Sequence, residues 1–113
     1  MSFSTLIRDS GDVAVIELVG RLVLGPSAGE VRRVVREVAG RKNKIVLNLA
    51  LVDYIDSSGL GELISAFANV KNSGGEIRLA HLHKRVSDLL QITKLYTVFA
   101  IFPDEATAVK SFY

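Results

Sequence analysis

From Lys44 to Leu49 the chain reads Lys-Ile-Val-Leu-Asn-Leu, and apolar residues dominate on to Ile55, broken by Asn48 and Asp53. A run with so little polar alternation suits a strand covered on both faces, the pattern of a central strand in an α/β sheet. The flanking segments agree. Residues 3–8 can form a short opening strand, Ser10-Gly11-Asp12 is a turn signal, and Val13 to Val19 is rich in β-branched residues, so the chain opens with a hairpin. Gly25-Pro26 breaks the chain, and Ser27 with Glu30 three places later forms a capping-box pattern. Val31, Val34, Val35 and Val38 follow at helical spacing, with Arg32, Arg33, Arg36 and Glu37 opposite; Gly40 closes the helix. Valine is a poor helix former, so burial of that stripe must hold the segment.

Beyond the central run, Leu60, Leu63, Ile64, Phe67 and Ala68 make a second helical stripe, ended by Asn72-Ser73-Gly74-Gly75. Glu76 to Ala80 suits a strand, residues 84–92 a helix with Val86, Leu89 and Leu90 inward, and Tyr96 to Phe102 a last strand region. Asp104 can cap a terminal helix carrying Ala106, Val109 and Phe112. The expectation is an α/β fold with a mixed sheet of four to five strands and about four helices, order ββαβαβαβα, joined by right-handed crossovers.

Composition narrows the chemistry. Without Cys there is no thiolate catalysis, disulfide or thiolate metal site. Net charge is only +2, and Arg32, Arg33, Arg36, Arg41 and Lys42 fall mainly on the polar side of one helix, so they read as a solvated face rather than a nucleic-acid stripe. Met1-Ser2-Phe3-Ser4-Thr5 lacks the charged and apolar regions of a signal peptide, and no stretch approaches a membrane span, which gives a cytoplasmic expectation. The G-x-S-x-G elbow fails at Asp56, no P-loop or dinucleotide fingerprint is complete, and His81 with His83 on a strand would share a face without an evident third metal ligand. Neither catalytic nor metal-binding residues are therefore assigned, and no cofactor is expected.

What remains is Asp56-Ser57-Ser58-Gly59-Leu60-Gly61-Glu62, where the buried run turns into a helix. A helix N-terminus offers free N–H groups and partial positive charge, an environment that suits phosphate. The serines there either cap the helix or present a functional hydroxyl. Asp53 and Asp56 are read as satisfying backbone N–H groups near the turn.

The run Ile45 to Gly61, with its D-S-S-G-L-G core, closely resembles the signature of the anti-sigma-factor antagonists, small STAS-domain proteins of bacterial partner switching. Gly20-Arg21-Leu22, Asn72-Ser73-Gly74-Gly75 and the Leu89-Leu90…Leu95 region support it. The resemblance implies one STAS domain over residues 1–113, monomeric or weakly dimeric, which is no enzyme. It implies Ser58 as phosphoacceptor and Asp56 to Glu62 as the partner-binding segment. The unmodified form would bind an anti-sigma factor that is also a serine kinase, releasing a sigma factor; phosphorylation would abolish binding and a serine phosphatase restore it. The other role the resemblance allows is a scaffold or regulatory subunit of a stress-sensing assembly or a lipid-transport ATPase complex. The chain departs from the family at Val23, where an acidic residue often follows Gly-x-Leu.

Overall fold

The computed structural model describes residues 3–113. Met1 and Ser2, part of the expected domain and of the leader reading, lie outside the described residues. The elements are β1 (Ser4–Ser10), β2 (Val13–Leu22), α1 (Pro26–Ala39), β3 (Lys44–Ile55), α2 (Ser57–Asn72), β4 (Glu76–Ala80), α3 (Lys84–Ile92), a 3-10 turn (Leu95–Thr97), β5 (Ala100–Phe102) and α4 (Glu105–Lys110).

The five strands lie in sequence order, β1 antiparallel to β2 and the others parallel. When successive parallel strands are added in one direction with crossovers of one hand, the connecting helices collect on one face. The buried residues follow that rule: Ala14, Ile16, Leu18, Ile45, Leu47, Leu49, Ile77 and Leu79 from the sheet pack with the valine stripe of α1, with Leu60, Leu63, Ala66 and Val70 of α2, and with Val86 and Leu90 of α3. The opposite face carries a smaller core, Val13, Val15, Val46 and Ala80 under Ala108 of α4. β3 is thus covered on both sides near its start, as its composition requires. Burying a valine contributes roughly 1.5–3 kcal/mol, more than the ~0.5 kcal/mol it loses in helix propensity, so the stripe of α1 wins.

Five local expectations change. The Ser27–Glu30 capping box does not form: Gly25 is the N-cap at φ 108° and Pro26 takes the first helical position, where its fixed φ fits. Ser27 arrives too late to cap; its hydroxyl instead accepts from the Val23 N–H and donates to the Val23 carbonyl, both at 2.8 Å. β3 pairs with β2 as far as Ile55, through register shifts either side of Val19. In α2, Ile64 and Ala68 face solvent, and Ala66 and Val70 take the core. Only Ala100 to Phe102 of the last strand region is strand, and Ala108 rather than Ala106 is buried in α4.

Candidate functional site

The strand-to-helix turn is organised by Asp56. Its backbone N–H donates to the Leu22 carbonyl at 3.1 Å, extending the β2–β3 pairing by one residue. Its own φ of −93° and ψ of −178° are extended, so Asp56 is the N-cap of α2. One carboxylate oxygen accepts the Gly59 N–H at 2.8 Å and the other the Leu24 N–H at 2.9 Å. A single side chain therefore caps α2 and ties it to the segment leading into α1. Those N–H donors, Gly59 first and Leu24 second, hold the Asp56 acid below the usual carboxylate range. Asp53, by contrast, is exposed on β3, with no side-chain hydrogen bond among the described residues.

With the cap assigned to Asp56, Ser57 and Ser58 stand at the first two helical positions, Ser57 exposed and Ser58 half-buried. Neither hydroxyl has a hydrogen-bond partner among the described residues, so the capping alternative for these serines is set aside. Gly59 is buried for a steric reason: a Cβ there would collide with the Leu22 carbonyl oxygen and sit 2.8 Å from the Leu22 carbonyl carbon and Cγ. Gly61, half a turn further, is exposed and a Cβ there would meet nothing within 4 Å.

Leu60 and Glu62 are buried beneath this surface. The Glu62 carboxylate is held by Arg32 of α1 through two bonds, Nε to Oε1 at 3.1 Å and Nη2 to Oε2 at 2.8 Å. Glu62 is 7% exposed, and a buried carboxylate needs such a partner. Beside the turn Leu24 is 75% exposed while its N–H is tethered to Asp56, and further along α2 Ile64 is exposed. Arg21 lies 4.7 Å over the Tyr54 ring on the neighbouring strand.

The basic cluster is interleaved with acids. Arg33 pairs with Glu30 and Glu37, and Arg41 and Lys42 with Asp9. The two histidines do not share a strand face, because β4 ends at Ala80. His81 turns to φ 58° and its Nε2 accepts the Glu105 N–H at 3.1 Å, while His83 is the exposed N-cap residue of α3. Among the described residues no cluster of three or more His, Asp or Glu could hold a metal, and no helix is long and apolar enough to cross a membrane.

Two residues of this region escaped the sequence reading. Leu24 sits beside the Gly25-Pro26 break, a location that signals a loop but not an exposed, anchored leucine. Arg32 looked like one more solvated cation; its partner lies 30 positions away, on another helix.

The family model for the STAS domain matches residues 5–108. Over 65 residues the chain is 31% identical to an anti-sigma F factor antagonist of Paenibacillus polymyxa, covering 58% of this chain and 56% of that one. Over 50 residues it is 40% identical to an anti-sigma-B factor antagonist of Bacillus subtilis, covering 44% and 46%. The chain thus spans about half the length of these curated relatives. Its fold superposes on an anti-sigma factor antagonist from Mycobacterium paratuberculosis with a TM-score of 0.84 at 20% identity, covering 97% of this chain and 93% of that one. On the Bacillus cell fate determinant SpoIIAA in its phosphorylated form the TM-score is 0.73 at 18% identity, covering 97% and 100%.

Proposed function

Because this chain belongs to the STAS domain family, we propose that it is an anti-sigma-factor antagonist whose docking is switched at Ser58. In the unmodified state the face around Ser57, Ser58 and Gly61 binds an anti-sigma factor that is also a serine kinase, and a sigma factor is released. The kinase moves the γ-phosphoryl group of ATP to the Ser58 oxygen, the hydroxyl proton leaving to a base of the kinase. The modified domain no longer docks, and a serine phosphatase hydrolyses the ester to restore it. The protein is a substrate and binding partner in this cycle rather than a catalyst.

The observation that carries this reading is the uncommitted hydroxyl of Ser58 at the second position of α2, on a turn whose capping is done by Asp56. Phosphorylation adds about −1.5 to −2 charges. The positive end of the helix stabilises that charge within the domain. At a docked interface the same group would have to shed its water without a counter-ion from the partner, a penalty of several kcal/mol and hence orders of magnitude in affinity.

The partner's chemistry follows from the departure at Val23. Val23 is half-buried with both backbone groups held by Ser27, and the neighbouring side chain that projects is Leu24. The partner therefore meets an apolar anchor here and presents an apolar pocket, not a cation.

Incubation with ATP and the cognate kinase, followed by mass spectrometry, tests the proposal. The expected result is one phosphate on Ser58, lost in Ser58→Ala. An unlabelled Ser58, together with co-purification in a high-mass assembly or with a lipid-transport ATPase, would replace it with the scaffold or regulatory-subunit role.

A further inference from the structure

We propose that Arg32 is the built-in counter-ion of phosphorylated Ser58, keeping its bonds to Glu62 while its remaining donors take the phosphate. The inference rests on Ser58 carrying a phosphate, and it adds what the domain itself does with that group. Ser58 and Glu62 are four residues apart on α2, so they stack on one face, one turn from each other. Side chains on a helix lean toward its N-terminus. The Glu62 carboxylate, and the guanidinium bonded to it, are therefore displaced from the Glu62 backbone toward the level of Ser58.

The stoichiometry of donors permits the bridge. A guanidinium has five N–H groups. Glu62 uses Nε and one hydrogen of Nη2, which leaves both hydrogens of Nη1 and one of Nη2. The Glu62 side chain is 8% exposed and fixes the inner edge of the guanidinium, while the Arg32 side chain as a whole is 59% exposed and leaves the outer edge open. A planar fork held on one edge and free on the other is suited to phosphate.

The neighbouring charges do not compete for this role. Asp56 is an anion already bonded to two N–H groups. Arg21 is stacked on Tyr54, Arg33 is taken by Glu30 and Glu37, and Arg36 lies a further turn along α1 from the Ser58 end. Arg32 is thus the positioning residue for the modified serine. It neutralises part of the added charge inside the domain and fixes where the rest faces the partner.

The test places phosphoserine at position 58 by genetic-code expansion, so that it needs no kinase, and follows the phosphate by 31P NMR as pH is varied. Glu62→Gln removes the charge of the acid and leaves an amide oxygen to accept from Arg32. The pair Arg32→Gln with Glu62→Gln removes the cation without stranding a buried carboxylate. The second phosphate pKa is expected to lie about half a unit or more higher in the double variant than in Glu62→Gln. Values agreeing within about 0.1 unit overturn the proposal. Should the double variant not fold by circular dichroism, Arg32→Met with Glu62→Gln supplies the comparison: it removes the cation while keeping an unbranched stem, and an unchanged pKa would be equally fatal. A kinase that ignores Ser58 would sink the switching cycle and leave this measurement standing; agreement of the two pKa values would sink the counter-ion and leave the cycle standing.

Discussion

Gly59 and Gly61 lie two positions apart on one helix, yet alanine should act on them with opposite sign. At Gly59 the new methyl would sit 2.8 Å from the Leu22 carbonyl carbon and Cγ and closer still to the carbonyl oxygen. Carbon atoms in contact prefer ~3.5 Å or more, so α2 must back away from β2 by on the order of one ångström. The obstacle is backbone, and the same Leu22 carbonyl accepts the Asp56 N–H, so the retreat loosens the cap as well. Overpacking of this kind costs about 1–3 kcal/mol, offset by the ~0.5–1 kcal/mol that alanine gains over glycine in a helix. The net loss is about 1–2 kcal/mol, or roughly 4–8 °C in Tm for a domain of this size. At Gly61 nothing lies within 4 Å, and only the propensity gain remains, about 0.5–1 kcal/mol. Urea unfolding of the two variants and the parent, followed by far-UV circular dichroism, reads both effects. A Gly59→Ala domain as stable as the parent, or the same sign of change at both positions, would refute the close-approach reasoning.

Ser58→Asp should keep its Tm within about 3 °C of the parent, while its Kd for the anti-sigma factor rises by roughly a hundredfold; calorimetric titration checks both halves, and unchanged affinity would remove the charge-based switch. Leu24→Ser should leave stability nearly untouched, because the side chain is solvated and only its N–H is engaged, yet weaken docking by about tenfold through loss of an apolar anchor; equal affinity by the same titration would move the interface elsewhere. The carboxyl of Glu105 is held at about 2, first by Arg8, which pairs with both its oxygens, and then by Asn48. Its depressed value means the stabilisation is complete above about pH 4.5 and is lost as pH falls toward 2. The full shift corresponds to ~3 kcal/mol, and screening of a side chain one-quarter exposed reduces this to about 1–2 kcal/mol. Glu105→Gln should therefore be less stable than the parent at neutral pH and converge on it near pH 2 in denaturant melts; a constant gap would contradict the assignment.

Most of the architecture could be read from the chain because it rests on periodicity. The valines of α1 and the unalternating start of β3 state their burial directly, and the strand–helix alternation leaves few topologies. What was not legible depended on competition between neighbours. Ser27 looked like a cap until Pro26 claimed the first helical position. Ser57 and Ser58 looked like caps until Asp56, itself equally able to cap, proved to be the extended residue. Ile64 sits at a spacing from Leu60 that suits the core, but the packing of α2 on β2 at Gly59 sets its rotation and turns Ile64 outward. The Arg32–Glu62 pair joins two helices, and no local pattern announces it.

The assignment of capping to Asp56 shows how one turn could serve both folding and the proposed switch. A serine used as the N-cap would lend its oxygen to the helix, and esterifying that oxygen would disturb a bond the fold depends on. Here the aspartate supplies both bonds, to Gly59 and to Leu24, and the serine oxygen contributes to neither. A modification can shift an equilibrium only by its differential interaction with the two states it connects. A phosphate on Ser58 would be accommodated by the helix end in the free domain, so its unfavourable contribution would be concentrated in the docked state. In the proposed cycle, this separation of duties between neighbouring residues would direct the effect of phosphorylation onto binding rather than onto the fold.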